Sequence, residues 1–173
     1  QHRALPTLAK KFPEGIFAIL VYGPDAGHVS ETVKKLVGGA VTDPKDPFSI
    51  TEVDAQIIKQ DPTFVTDSAL AFSMSGERKL IRIRNATDIM VPIIETILQF
   101  ETIEANIILD AGNLDTRSKL RALFEKNNRL GSFACYGDQG SSLKNLINEI
   151  FKENDIYAGE GVVDYLLTRL GND

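Results

Sequence analysis

The sequence predicts an α/β fold: a mainly parallel five-stranded sheet with helices on both faces, followed by the start of a small helical lid domain. Three observations lead there. Residues 16–22, Ile-Phe-Ala-Ile-Leu-Val-Tyr, form an unbroken apolar run closed by Gly23-Pro24, the pattern of a parallel strand covered on both faces. Strand-like segments then alternate with helix-like ones through residue 136. Beyond Gly-Asp-Gln-Gly at 137–140 only helical periods remain, which divides the chain into a domain at 1–138 and the first helices of a second at 139–173.

Taken in order, the first strand is followed by a turn and a helix whose Val29, Val33, Leu36 and Val37 share one face and which should end at Gly38-Gly39. Residues 48–53 alternate apolar and polar as a half-covered strand does, and Asp54 is placed to cap what comes next. Two short helices are predicted at 55–59 and from Pro62 to about residue 73, with Pro62 at a first helical position. A third strand at 79–84 leads to a helix at 88–100, with Ile89, Ile93, Ile94, Ile97 and Leu98 on its apolar side and Pro92 tolerated in its first turn. A fourth strand at 105–110, a helix at 116–127 and a fifth strand at 132–136 complete the sheet. The remaining helices, 141–152 and 161–170, have apolar faces but too little mass to fold alone.

A chain of 173 residues with 43% hydrophobic content buries one substantial core. Its formal charge of -5 gives no basic field of the kind that draws nucleic acid directly, so any DNA contact must be local. The single cysteine, Cys135, excludes an internal disulfide and offers no metal-ligand spacing; its apolar neighbours mark a buried strand thiol. His2 and His28 have no visible carboxylate or cysteine partners, so no metal site is expected. No apolar run approaches the roughly 18 residues of a membrane span, and no signal-peptide pattern opens the chain, so a cytoplasmic protein is expected. Because the chain opens on Gln1 rather than Met, a preceding segment is expected as well.

The turn after the first strand, Tyr22-Gly23-Pro24-Asp25-Ala26-Gly27-His28, has the outline of a phosphate loop. A working loop of the form Gly-x-x-x-x-Gly-Lys-Ser/Thr cradles phosphates on backbone N–H groups, neutralises them with lysine and binds magnesium through the hydroxyl. Here Gly23 and Gly27 are four apart rather than five, His28 and Val29 stand where lysine and the hydroxyl are required, and Asp25 adds the wrong sign of charge. The acidic half of the machinery is missing too, since the third strand ends Arg82-Ile83-Arg84 where a magnesium-binding strand ends in carboxylates. Asp110 closes the fourth strand, where it reads as a turn residue. The loop is therefore degenerate at Gly23, Asp25, Gly27 and His28, and neither phosphate binding, a catalytic residue nor a cofactor is expected.

The order and wording of the motifs resemble the delta subunit of bacterial DNA polymerase III, the wrench subunit of the sliding-clamp loader, over nearly the whole chain. The residues carrying the resemblance are 21–27 after the first strand, Asp46-Pro47-Phe48-Ser49, the run 76–84, residues 109–114, residues 118–126, and Ala134-Cys135-Tyr136. Each is weak alone; their joint order and spacing are specific. The resemblance implies an AAA+/RecA-like first domain without ATPase activity, a three-helix lid domain, and a helical collar beyond the present sequence. It further implies a non-catalytic component of the DNA polymerase III nucleotidyltransferase complex, working in the nucleoid-associated replisome. The implied partners are the sliding clamp (beta subunit), the gamma/tau and delta-prime subunits of a pentamer, and DNA reached through that complex.

The family binds its clamp through an apolar tip on the helix preceding the arginine-bearing strand, where a leucine-phenylalanine pair enters the clamp pocket. That pair maps onto Met74 and Ser75. Methionine fills a leucine pocket, serine does not replace an aromatic ring, and Phe72 is the candidate for the missing apolar bulk. Read without the resemblance, Phe72 and Met74 are simply core residues of a helix. Arg78, Arg82 and Arg84 are candidates for contact with DNA or a partner, against the plainer reading of a solvated strand face. The leading functional expectation is an interaction protein that binds the clamp and helps open it for loading onto primed DNA during replication, without hydrolysing ATP. The alternatives are a diverged loop-type nucleotide-binding enzyme, which the missing lysine opposes, and an α/β domain holding a small ligand at the carboxyl ends of its strands.

Overall fold

The computed structural model of the chain describes residues 12–41, 49–72, 78–136, 151, 161–163 and 165–166. The strands β1 (Ala18–Tyr22), β2 (Ile50–Asp54), β3 (Lys79–Arg84), β4 (Ala105–Asp110) and β5 (Leu130–Ala134) form one sheet in the order β2-β3-β4-β1-β5. All neighbours run parallel: Leu20 stands opposite Leu109 on one side and Ser132 on the other, and Ile81 lies between Thr51 and Ile107. The continuous apolar run at the first strand has its explanation in this order, because β1 is interior and all five of its residues are buried.

Strand alternation divides the core into two layers. Ile19 and Val21 of β1, with Leu80 and Ile108, face α1 (Ala26–Ala40), which contributes Val29, Val33 and Leu36. On the other face Leu20, Tyr22, Ile83, Ile107 and Leu109 meet α2 (Ala55–Ile58), α3 (Thr63–Leu70), α4 (Val91–Leu98) and α5 (Lys119–Lys126) through Ile58, Val65, Ile94, Ile97, Leu120 and Phe124. Each such side chain contributes roughly 1.5–3 kcal/mol when fully buried, so both layers stabilise the sheet. The expected mainly parallel five-stranded α/β fold with helices on both faces is the one observed.

Several boundaries differ from the sequence expectation for identifiable reasons. α1 starts at Ala26 because Asp25 caps it, and it runs through Gly38-Gly39 to Ala40 because neither glycine adopts the left-handed backbone that would end it. α3 stops at Leu70, short of residue 73. The helix expected from residue 88 opens as a tight turn, Asp88–Met90, before α4, which changes the angular spacing and leaves Ile89 exposed. α5 begins at Lys119 because Ser118 accepts from the Arg121 N–H at 3.2 Å. β5 lies two residues earlier than expected, so Cys135 is buried just beyond the strand instead of within it.

The chain divides into two compact units, Gln1–Cys135 and Tyr136–Asp173. In the second, Phe151, Val162, Val163, Tyr165 and Leu166 are helical; the rest of the expected helices 141–152 and 161–170 lies outside the described residues. Among the described residues no helix is long and apolar enough to cross a membrane.

Candidate functional site

The degenerate loop sits at the carboxyl end of the interior strand β1, and open parallel sheets bind ligands at the carboxyl ends of their strands. Its first residue is held from below. The Tyr22 hydroxyl donates to Glu125 Oε1 at 3.1 Å, and the Arg121 guanidinium lies 5.2 Å from the centre of the Tyr22 ring while donating to the same carboxylate oxygen at 2.8 Å. Gly23 then passes against the end of β5: a Cβ built there would fall 2.1 Å from the Cys135 carbonyl oxygen. Gly23 N donates to Gly112 O at 3.2 Å and Cys135 N donates to Tyr22 O at 2.7 Å. The glycine that resembles a phosphate-loop residue is thus required by protein packing.

The helix N-terminus beyond it is capped by Asp25. Asp25 Oδ1 accepts from the His28 N–H at 2.9 Å, and Asp25 O accepts from the Val29 N–H at 2.9 Å. A carboxylate therefore stands over the helix end where a phosphate loop presents free N–H groups. His28, at the lysine position, has its Nδ1 buried with no hydrogen-bond partner among the described residues. Gly27 lies in the first turn of α1, 3.3 Å from Asp25 Oδ1 by a built Cβ. Cys135 lies nearby, its Sγ donating to Thr32 Oγ1 at 3.6 Å; burial, the largest influence, pushes its thiol above the usual range.

Next to the loop, across β4, the strand ends form a second closed network. Arg82 donates from Nε and Nη2 to Asp110 Oδ2 at 3.2 and 2.9 Å, and from Nη1 to Glu52 Oε1 at 2.9 Å. Asp110 Oδ1 accepts from the Asn85 N–H at 3.3 Å, and Asn85 Nδ2 donates to Asp54 Oδ2 at 2.6 Å. Asn85 has a φ of 55°, a left-handed conformation that asparagine tolerates better than most residues. Burial pushes the Arg82 pKa down, but hydrogen bonds and charge from Asp110 and Glu52 outweigh it and the net direction is up. Asp110 is therefore an internal ion-pair partner as well as a strand terminus. Among the described residues no group of three or more His, Cys, Asp or Glu could hold a metal ion.

Of the arginines picked out in the sequence, Arg82 is the one drawn into this network, with its side chain 22% exposed, whereas Arg78 and Arg84 are exposed. The apolar tip lies elsewhere. Phe72 follows the C-cap Ala71 of α3 and is 76% exposed, so it is no core residue. Met74 and Ser75 lie outside the described residues.

Sequence reasoning missed the cap at Asp25 and the pairing of Arg82 with Asp110. The first was legible, since aspartate just ahead of a helical period is a cap signal. The second depends on β3 lying beside β4, which only the strand order reveals.

Comparison with known proteins gives a consistent answer. No family profile matches the chain. A curated relative, the probable DNA polymerase III subunit delta of Rickettsia prowazekii, is 23% identical over 161 residues, covering 91% of this chain and 46% of that protein. Among solved structures, the Bacillus subtilis DNA clamp loader delta protein aligns with a TM-score of 0.63 at 19% identity, over 87% of this chain and 47% of that one. The fold is therefore the one found in a clamp loader delta protein, and the chain spans about half the length of each of these two proteins.

Proposed function

We propose that this chain is the clamp-binding portion of a clamp-loader delta subunit of bacterial DNA polymerase III, which binds the sliding clamp and helps open it for loading onto primed DNA. The observation that carries the proposal is Phe72: a large aromatic side chain, 76% exposed, just beyond the C-cap of the helix preceding the arginine-bearing strand. Burying such a ring in a partner's pocket is worth about 1.5–3 kcal/mol, or roughly ten- to a hundredfold in affinity. Met74 and Ser75 complete the tip in this reading, and the exposed Arg78 and Arg84 are the candidates for contact with DNA or a neighbouring subunit.

ATP hydrolysis falls to other subunits, of the gamma/tau kind, with delta-prime completing a cytoplasmic pentamer at the replisome. The carboxylate over the α1 N-terminus and a third strand that ends in arginine where a metal-binding strand ends in carboxylates support this division of labour and oppose a diverged nucleotide-binding enzyme. The test is capture of the cognate clamp by wild type, Phe72→Ala and Met74→Ala, with ATPase activity assayed alongside. Weaker capture by either variant and no hydrolysis above buffer support the reading; undiminished capture by both, or sustained hydrolysis, overturns it.

A further inference from the structure

Arg82 lies two residues inside the carboxyl end of β3, a strand that ends in Arg84 where a magnesium-binding strand ends in carboxylates, and its guanidinium is shared between carboxylates on the strands to either side, Glu52 of β2 and Asp110 of β4. The same Asp110 carboxylate, through its other oxygen, fixes the left-handed Asn85, which reaches back to Asp54 at the end of β2. Backbone bonds extend the connection: Ala86 N donates to Asp110 O at 2.8 Å, Ala111 N to Val21 O at 2.8 Å, and Gly23 N to Gly112 O at 3.2 Å. One cation therefore joins the carboxyl ends of β2, β3 and β4, and through β4 the loop after β1.

We propose that Arg82 is a built-in counter-cation that holds the carboxyl end of the sheet in its assembled form, so that this end is complete without metal or nucleotide. The inference stands whether or not the tip at Phe72 binds a clamp. It assigns to Arg82 an internal role in place of the DNA or partner contact that the sequence suggested. Arg82 and Asp110 are mostly shielded, with side chains 22% and 18% exposed, so removing the cation leaves Asp110 poorly compensated. Glu52, 49% exposed, is screened by water and contributes less.

The test combines a double-mutant cycle with amide exchange on the whole chain. Arg82→Met, which retains much of the apolar stem, lowers Tm by roughly 3–6 °C. Adding Asp110→Asn to it then lowers Tm by less than Asp110→Asn does in the wild type. Exchange in Arg82→Met quickens at Asn85, Ala86 and Ala111 and is little changed at Ile19 and Leu20. Wild-type Tm is unmoved by magnesium-ATP. Should Arg82→Met fail to fold, Arg82→Lys keeps the charge and must fold, with a Tm below that of the wild type. Additive losses in the cycle, unchanged exchange at the three amides, an Arg82→Lys chain that also fails to fold, or stabilisation of the wild type by magnesium-ATP overturns the proposal.

Discussion

Replacing Gly23 by alanine separates a packing glycine from a phosphate-binding one. The added Cβ would lie 2.1 Å from the Cys135 carbonyl oxygen, 2.6 Å from its carbon and 3.0 Å from its Cα. Comfortable contacts begin near about 3.5 Å, so the overlap exceeds an ångström and falls on backbone that cannot rotate away. Relief requires separating strands tied by Cys135 N to Tyr22 O at 2.7 Å, or lifting Gly23 off Gly112 O at 3.2 Å. Overpacking of about 1–3 kcal/mol plus a weakened hydrogen bond of about 1 kcal/mol gives an expected loss near 3 kcal/mol. For a chain of this size that lowers Tm by roughly 6–12 °C, measured by circular dichroism in buffer without nucleotide. Gly38→Ala is the control. Nothing lies within 4 Å of its built Cβ and it sits inside α1, so it should stabilise by about 0.5–1 kcal/mol. A Gly23→Ala chain that melts within about 2 °C of wild type would refute the reasoning.

Other outcomes follow from the same geometry. Asp25→Ala removes the α1 cap and should lower stability by about 1 kcal/mol in urea unfolding, with Asp25→Asn losing less. Asp88 accepts from Leu120 N, Ser118 Oγ and Lys119 N at the start of α5, and these bonds, that from Leu120 foremost, hold its carboxyl below the usual range. A depressed folded-state pKa means stability that is present above the unfolded value of about 4 and lost as pH falls through the folded one, so the Tm difference between wild type and Asp88→Ala should shrink on acidification below about pH 4. The Cys135 thiol, buried and pushed upward in pKa, should react with a disulfide reagent only as fast as the chain opens, and at full rate in denaturant.

The fold was legible because β1, β3 and β4 are interior and carry strong apolar patterns, whereas the edge strands β2 and β5 were placed about two residues off. Residues 79–84 and 105–110 were expected as strands and observed with those limits, since β3 and β4 lie inside the sheet with apolar residues facing both layers. Helix ends were less legible because they depend on particular hydrogen bonds. Nothing in the composition of Gly38-Gly39 says that the helix continues through them, and Ser118 defines the start of α5 only through its contact with the Arg121 N–H. At the candidate site, the absence of a phosphate-loop lysine was visible at His28, and the cap at Asp25 was legible as an aspartate three residues from the N–H it accepts. Arg82 between two strands is a tertiary arrangement set by strand order, so it was not. The exposure of Phe72 likewise could not be decided from spacing, because the helix was expected to run to about residue 73, whereas it ends at Leu70 and leaves Phe72 beyond its C-cap.

The central claim is most directly tested by titrating the chain, by isothermal calorimetry, into the sliding clamp of its own organism. The account predicts saturable binding that Phe72→Ala weakens by roughly ten- to a hundredfold. No measurable heat with a folded wild-type chain, or equal affinity for the Phe72→Ala chain, would contradict it.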